Sequence, residues 1–443
     1  MGPFRAGRAA ATAAPSPRRA LAVAAAVAAA VVVAAAVATT AAAQACANRV
    51  ARCNGRVDYF RNKVKPIAHA TTLTGLRYTN TYVDVTVQAV EGQPPIRYRL
   101  VRCGCNAPAA GRVRLFVPPV RVYVGDTSTL SQVVLEIGAL DRVAVIGSVF
   151  NTYSPEVRRR VAAGRIASLI PSSTVFTPPY AQLLNGSLTR VTGSSAPLLA
   201  LIPSRAVAAF TKAVGNRIPY VTSGELDELT PLGRAEYVKF FGIVMDRSGR
   251  ADDAYDAIVR RYNNAKRLAA GARGRPSTLV GFPFGGVWTQ PGEKEYSARF
   301  LADANADHRY QADGKTLPTR LSGAQIVRQF GSAEVWVNAG LYPGSRSLTL
   351  DKLLADDPKL TADVFSKLRS VRCGQVWSNQ RRVSADGLAN DYFEEGAVRP
   401  DKILEDLVRL YHPSVRVPGN FHFYYWLGKP SRLTCPTGFG FGR

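Results

Sequence analysis

The sequence predicts an α/β protein in which two parallel-sheet lobes are joined by one long α-helix, with an N-terminal β-hairpin extension. The order strand, helix, strand begins at Pro119 and returns after Pro276, and a long stretch of helical periodicity lies between them. Alternating strands and helices build parallel sheets with helices on their faces. We therefore expect lobes at residues 119–247 and 272–428, joined by a helix at 248–271.

Residues 1–45 predict an export signal or an N-terminal anchor. A head containing four arginines and no carboxylate precedes an apolar run from Ala20 to Ala38, and small residues follow, with candidate cleavage after Ala43 or Ala45. The run is also close to the ~20 residues that span a bilayer, and its Arg/Ala-rich composition is compatible with an organelle transit peptide. We expect an exported protein (periplasmic, secreted or at the cell surface) or one in an organelle lumen, with membrane contact only through this segment if it is uncleaved.

Six cysteines predict disulfide bonds, because an even set in an exported chain is typical of a disulfide framework. They are Cys46, Cys53, Cys103, Cys105, Cys373 and Cys435. A zinc site would need ligands paired at short spacing, and Cys103 and Cys105 are the only close pair in the sequence. The sequence leaves the pairing of the cysteines open.

The chain is strongly basic, with 57 Lys and Arg against 32 Asp and Glu and a formal net charge of +25. Such an excess attracts anions over a long range. The basic residues are scattered, and no nucleic-acid-binding signature accompanies them. We therefore expect no nucleic-acid partner and interpret the charge as a solvated surface or as a preference for an anionic small ligand.

Residues 46–118 predict a small β-rich extension. Apolar residues alternate with polar ones from Val83 to Ala89, and Ile96, Tyr98 and Leu100 alternate with arginines after a turn-forming stretch. The two alternating segments predict a hairpin.

The first lobe begins with a βαβ unit. The β-branched run Val120–Val124 is followed by cap residues at 127–129, an amphipathic helix and the apolar strand Val143–Ile146. Such a unit places the loops after its strands at the mouth of a crevice. Residues 163–219 are less regular and indicate loops or an insertion, with a helix from Arg205 to Val214.

The second lobe repeats the alternation. Its predicted strands are Thr278–Phe282, Glu334–Val337 and Gln375–Trp377, and its helices begin near Glu295, Ser322, Leu350 and Arg399. Residues 429–443 form a tail.

The connecting helix is predicted from its periodicity. Six apolar or small residues between Ser248 and Ala270 are spaced 4, 3, 4, 3 and 4 apart, which places them on one face: Ala251, Tyr255, Ile258, Tyr262, Ala265 and Ala269. About 22 residues at 1.5 Å each make roughly 33 Å, the height of a domain.

Three segments resemble the periplasmic binding protein family for iron siderophores and cobalamin, of the helical-backbone, class III type. They are TPLGRAEYVKFFGIV from Thr230, GGVWTQPGEKEYSARFLADANADHRY from Gly285 and NDYFEEGAVRPDKILEDLVRLYHP from Asn390. The resemblance runs from about residue 80 to about residue 427. It implies a receptor that holds a ferric chelate or a corrinoid in a shallow cleft between its lobes and delivers it to an ABC-type permease. We expect a monomer without an intrinsic cofactor or metal.

A receptor for such a chelate needs aromatic faces and cationic groups for its oxygens. From loops after the predicted strands we nominate Ser128, Thr129, Phe150 and Asn151 in the first lobe, and Trp288, Tyr296, Asn379, Arg381 and Arg382 in the second. The nominations at 288, 296 and 379 follow the motifs that carry the resemblance, whereas the arginines rest on position and chemistry. For the permease, the sequence offers only an acidic group at Glu225, Asp227 and Glu228.

Other readings remain open. Trp288 and Tyr296 fit interior packing as well as ligand contact, and an arginine pair fits a solvated surface. Binding of bare zinc or manganese is disfavoured because none of the four histidines forms a close pair. No catalytic motif of a hydrolase, P-loop enzyme or metalloprotease occurs, so we expect no enzyme. The alternatives are a secreted or surface protein that kept the fold without transport, and a metal-cofactor protein of the same fold family.

Overall fold

The computed structural model describes residues 46–88, 93–125, 128–170, 178–184, 199–308, 319–340, 348–355, 362–428 and Cys435. The predicted export signal or anchor lies outside the described residues, and so does the tail except for Cys435. Among the helices that are described, none combines the length and the apolar character that a membrane crossing requires.

The predicted hairpin is part of a four-stranded N-terminal sheet. Its strands, in the spatial order β1-β2-β3-β4, are β1 Leu73–Tyr78, β2 Tyr82–Val87, β3 Ile96–Arg102 and β4 Val113–Val117. β2 and β3 pair antiparallel from Tyr82 opposite Val101 to Val87 opposite Ile96, and β4 joins β3 in parallel. The buried face of this sheet packs into the same core as the helices that follow.

The cysteines form disulfide bonds, as predicted. Cys46 pairs with Cys103 and Cys53 with Cys105, which fixes the segment before β1 to the end of β3. The third bond joins Cys373 to Cys435.

The first parallel sheet has the order β7-β6-β5-β8-β9. Its strands are β5 Val122–Val124, β6 Val143–Ile146, β7 Ala167–Ser168, β8 Leu199–Pro203 and β9 Tyr220–Ser223, and its helices are α1 Ser128–Glu136, α2 Pro155–Ala162 and α3 Val207–Val214. The chain moves from β5 outward through β6 and β7 and then returns to the other side of β5. This reversal is the doubly wound arrangement in which a crevice opens at the carboxyl ends of the strands.

Three helices follow this sheet: α4 Pro231–Ala235, α5 Tyr237–Val244 and α6 Ser248–Ala270. The bounds of α6 agree with the sequence prediction, and the six residues predicted to share a face are all buried. The periodicity succeeds here because one face of α6 packs against apolar side chains along its whole length. The role of α6 as the one link between lobes, and the lobe boundaries, remain predictions.

The second parallel sheet has the order β13-β10-β15-β16-β17. Its strands are β10 Ser277–Val280, β13 Asp307–His308, β15 Val335–Asn338, β16 Val376–Ser378 and β17 Tyr425–Trp426, of which β17 alone among these is antiparallel. The described helices of this half are α7 Tyr296–Asp303, α8 Gly323–Phe330, α9 Leu350–Ala355, α10 Ala362–Ser366, α11 Arg369–Arg372, α12 Asp391–Val398 and α13 Pro400–Tyr411. The strand order reverses between β10 and β15.

A small antiparallel sheet begins directly after β10, where the chain leaves the second parallel sheet. It contains β11 Phe282–Phe284, β12 Val287–Gln290 and β14 Thr319–Ser322. The sequence predicted one strand through Phe282, but Gly281 interrupts it with a φ of +101° and passes so close to β12 that a Cβ there would lie 1.9 Å from the carbonyl oxygen of Thr289. Since L residues avoid this conformation, glycine is needed where the chain leaves β10 for β11.

Candidate ligand-binding site

A cavity of about 200 Å³ lies at the carboxyl ends of β10 and β15. Val280 and Gly281 line it from one strand, and Val337 and Ala339 from the other. These are the strands between which the sheet order reverses. In open α/β sheets ligands bind at this switch point, because the loops on its two sides diverge and leave a crevice.

Aromatic and aliphatic side chains form most of the cavity wall. They are Phe282, Phe300, Leu301, Tyr392, Phe393, Leu407 and Tyr424. The ring of Tyr392 lies 5.2 Å from Phe393 and 5.6 Å from Tyr424, both edge to face. A wall of this composition favours the apolar part of a solute.

Four polar side chains complete the wall: Thr289, Gln290, Glu295 and Ser297. Gln290 is only 4% exposed, and its Oε1 has no hydrogen-bond partner among the described residues. The hydroxyl of Ser297 donates to Glu295 Oε1 at 3.3 Å, and burial raises the pKa of Glu295. The cavity therefore presents hydrogen-bond acceptors in an apolar setting.

Exposed aromatic rings occur on two elements that contribute residues to the cavity wall, β11 and α12. Phe284, near the tip of the hairpin of β11 and β12, is 73% exposed, and Phe393 at the start of α12 is 41% exposed. Large apolar side chains in such positions commonly mark a binding surface.

Helix α12 connects the cavity wall to the first parallel-sheet region. The Thr129 hydroxyl donates to the carbonyl oxygen of Phe393 at 3.3 Å. The buried carboxylate of Glu394 accepts hydrogen bonds from the backbone N–H groups of Tyr153 and Ser154 at the start of α2. One residue of α12 thus lines the cavity while the next is bonded to the opposite half of the protein.

A charged cluster lies on the same helix. Ligand atoms of Asp391, Glu395 and His422 lie within 4.8 Å of one another, a spacing that could hold a metal ion. Arg382 Nε donates to Asp391 at 2.5 Å, and Lys402 donates to Glu395. Because these cations already neutralise the two carboxylates, the residues present do not call for a metal.

The pKa values of the cluster follow from these contacts. Burial and the neighbouring Glu395 raise the pKa of Asp391 to about 6, although Arg382 opposes the shift. Burial also works against ionisation of Glu395, but hydrogen bonds from His422 and Lys402 outweigh it and hold the pKa of Glu395 well below its ordinary value. Glu395 is therefore readily ionised, whereas the neighbouring Asp391 resists ionisation.

The first-lobe residues nominated from the sequence do not line the cavity. Thr129 is buried and bonded to Phe393, as described above, and Ser128 begins α1, with its side chain outside the description. Phe150 is half-buried and Asn151 is exposed in the loop after β6. Their contact with a ligand stays a prediction.

Trp288 lies in the interior and is not exposed to a ligand. It is fully buried, its indole N–H donates to the carbonyl oxygen of Val280 at 3.0 Å, and its ring lies 4.8 Å from Trp336. Its neighbour Thr289 lies directly opposite Phe282, and both line the cavity. Successive strand residues point to opposite faces, so Thr289 lines the cavity where Trp288 packs into the core.

Tyr296 is half-buried and packs against the core. Its ring lies 5.2 Å from Phe300 and 5.2 Å from the Arg234 guanidinium, and its buried hydroxyl has no partner in the described part of the chain. The residues on either side of it, Glu295 and Ser297, line the cavity instead.

The remaining nominations lie after β16. Asn379 is fully buried, and neither polar atom of its side chain has a partner among the residues described. Arg381 is exposed, whereas Arg382 is paired with Asp391 and lies 5.1 Å from the ring of Tyr153. Of the two arginines, only Arg381 is left exposed for a ligand.

The sequence prediction missed the residues that form the cavity, among them Phe282, Gln290, Glu295 and Phe393. Phe393 belongs to the motif from Asn390 that carries the family resemblance, but it was not among the nominated residues. The available signal was position: Phe282 follows the first strand of the second sheet, where loops meet the crevice.

The acidic group suggested for permease docking is wrong at two positions. Glu225 is buried and paired with Arg234 at 2.6 Å, and Glu228 is buried and accepts from the backbone N–H groups of Thr71 and Thr72. Only Asp227 is exposed. Buried carboxylates in internal bonds offer nothing to a docking protein.

Two parallel α/β sheets with reversals in their strand order define the class: the chain has the class III periplasmic binding protein fold. A periplasmic binding protein from Veillonella parvula aligns with a TM-score of 0.51 and 14% identity, over 76% of this chain and all of that one. An ABC-type Fe3+-hydroxamate transport protein from Saccharomonospora viridis aligns with a TM-score of 0.46 and 17% identity, over 66% of this chain and 93% of that one.

Among curated proteins, the chain is similar to the uncharacterized lipoprotein MJ0878 of Methanocaldococcus jannaschii. The two are 21% identical over 322 residues, which cover 70% of this chain and 69% of the relative. No protein-family model matches the chain.

Proposed function

We propose that the protein is an exported solute-binding receptor for a ferric siderophore or a similar metal chelate, which it delivers to an ABC-type importer. The observation that carries the proposal is the aromatic-walled cavity at the switch point between β10 and β15. A periplasmic binding fold in the aligned Veillonella parvula protein and the sequence resemblance to siderophore and cobalamin receptors support the same function.

The size and chemistry of the cavity fit part of such a ligand. Pockets for drug-sized molecules enclose about 300–1,000 Å³, so a cavity of about 200 Å³ holds an arm of a larger solute. The exposed rings of Phe284 and Phe393 offer a platform for the rest. A chelate is bulky and partly apolar, and both properties match this surface.

Export is supported by three independent observations. The N-terminal sequence predicts a signal or anchor, the cysteines form three disulfide bonds, and the curated relative carries the name lipoprotein. Disulfides persist in oxidising compartments outside the cytosol. We propose a binding role without catalysis, in which the cavity residues hold the solute and a permease receives it.

Titration of the purified, oxidised protein with ferric chelates tests the proposal. Ferric hydroxamates, a ferric catecholate, hemin and cyanocobalamin are added while tryptophan emission and the melting temperature are followed. We expect at least one to bind with a Kd of about 1 μM or tighter, which corresponds to about 8 kcal/mol. If none changes emission or melting temperature, a secreted protein that kept the fold without transport becomes the better description.

A further inference from the structure

The polar part of the cavity wall contrasts with the charge of the whole chain. The protein carries a net charge of +25, yet the lining contributed by the described residues includes Glu295 and no lysine, arginine or histidine. A cationic group approaching the surface is repelled by the net charge and attracted only locally. The described lining of the cavity therefore favours a cationic group, which is the opposite of the anion preference expected from the composition.

Glu295 is a partly buried carboxylate without an ion pair in the described part of the chain. Its carboxylate accepts hydrogen bonds from the hydroxyl of Ser297 and the backbone N–H of Gly292, and burial raises its pKa. A desolvated carboxylate gains from an opposite charge more than an exposed one does, because the effective dielectric constant around it is lower.

Gln290 provides a second, independent indication. Its Oε1 is buried in the cavity wall and has no hydrogen-bond donor among the described residues. Leaving a buried acceptor unsatisfied costs about 1–3 kcal/mol, so native proteins rarely do so without a ligand or water to supply the donor. An acceptor of this kind binds N–H or O–H groups.

We infer that the cavity binds a protonated amino group on an alkyl arm of the solute, held by Glu295 and Gln290, while the apolar arm packs against Phe282 and Tyr392. This inference rests on the proposed function and specifies which chelates it serves: those with a pendant ammonium group. The volume agrees, since about 200 Å³ admits an arm but not a whole chelate. The catecholate or carboxylate oxygens expected from the sequence to meet arginines find no cationic partner among the described residues of this wall.

A matched pair of ligands isolates the ammonium group. Ferrioxamine B is a ferric trihydroxamate with one free aminoalkyl arm, and its N-acetyl derivative has the same body without the charge. We expect the wild-type protein to bind ferrioxamine B about tenfold or more tightly than the acetyl derivative by calorimetry, as a charge-assisted hydrogen bond would give. In Glu295→Gln the ratio should fall to about one. Glu293→Gln, an exposed position two residues away, should retain the wild-type ratio.

The outcomes separate this inference from the proposed function. If both ligands bind wild type equally, or if Glu295→Gln keeps the preference, the ammonium site is wrong while the chelate receptor stands. If an anionic ferric catecholate binds and ferrioxamine B does not, the ammonium site is likewise wrong while the chelate receptor stands. If no ferric chelate binds, both proposals fail together. Circular dichroism of each variant checks that the fold is retained, and Glu295 makes no side-chain cap to α7 whose loss would disturb it.

Discussion

The carboxylate of Glu394 on α12 accepts a hydrogen bond of 3.1 Å from the backbone N–H of Ser154 at the start of α2. Because the N-terminal end of a helix carries partial positive charge, this contact joins α12 to the first parallel-sheet region with a favourable dipole. Phe393, the preceding residue, lines the cavity. The position of one cavity wall thus depends on a bond to the other half of the molecule.

Burial of the Glu394 carboxyl should make stability depend on pH. Burial raises the pKa of Glu394 to about 8; the N–H groups of Tyr153 and Ser154 oppose the shift, and Asp391 and Glu395 add to it. The folded state then holds a proton that the unfolded state releases above its ordinary pKa of 4.5. The resulting stabilisation is fully present below about pH 4.5 and is lost as the pH rises through about 8.

We expect Glu394→Gln to remove roughly 2–4 kcal/mol of this pH dependence, measured as the free energy of unfolding in urea at about pH 5 and about pH 8. Asp391, whose pKa is raised to about 6, contributes in the same direction in wild type and variant alike. Asp253→Asn, at an exposed position of α6, is the control and should keep the wild-type slope. An unchanged slope in Glu394→Gln would contradict the assignment.

Substitution of Trp288 should lower mainly the stability of the protein, whereas substitution of Phe284 should lower mainly its affinity for a chelate. Trp288→Ala leaves a cavity in the core and should cost about 3–5 kcal/mol of unfolding free energy. Phe284→Ala alters an exposed ring and should change stability by no more than about 0.5 kcal/mol, while weakening chelate affinity roughly tenfold. Denaturation and ligand titration of both variants measure the contrast. If Trp288→Ala kept its stability and lost only chelate binding, the original prediction that Trp288 contacts the ligand would be supported instead.

Gly281→Ala should be much more damaging than Gly274→Ala. Both glycines have positive φ, +101° and +80°, so both substitutions introduce backbone strain. Only at Gly281 would the new Cβ collide with the backbone at Thr289, whereas nothing lies within 4 Å at Gly274. We expect the difference in unfolding free energy to be about 2 kcal/mol or more. Equal losses would mean that the approach of β12 to Gly281 is not tight.

Removing the disulfide that ties the first described residue to the end of β3 should lower stability. The double variant Cys46→Ser with Cys103→Ser opens a bond that closes 57 residues of sequence and should cost about 2–4 kcal/mol. Non-reducing peptide mapping of the wild type should recover the three pairs directly. Recovery of Cys46 joined to Cys53 would refute the pairing.

The fold could be predicted wherever a pattern is local. The helix at Ser248–Ala270 and the strand Val143–Ile146 have the bounds that the sequence predicts, because each buries one face or a whole run against the core. The sequence prediction placed a helix near Arg399 and missed α12 before it, although Asn390 caps α12 locally and Pro400 starts α13 directly afterwards. The sequence prediction also missed the edge strands β1 and β4 of the N-terminal sheet. β1 pairs with β2 across a short turn, whereas β4 pairs in parallel with β3 after a longer connection.

The sequence by itself determined the class of fold, the presence of disulfide bonds and the long amphipathic helix, because composition and periodicity follow directly from burial and local geometry. Tertiary structure alone decided which side chains face the cavity. Trp288 lies in the interior and Phe282 lines the wall, because Gly281 redirects the chain between β10 and β11. The pairing of β11 with β12 sets which side chains share each face. Orientation within a strand changes with every residue, so it depends on a register that no local pattern specifies.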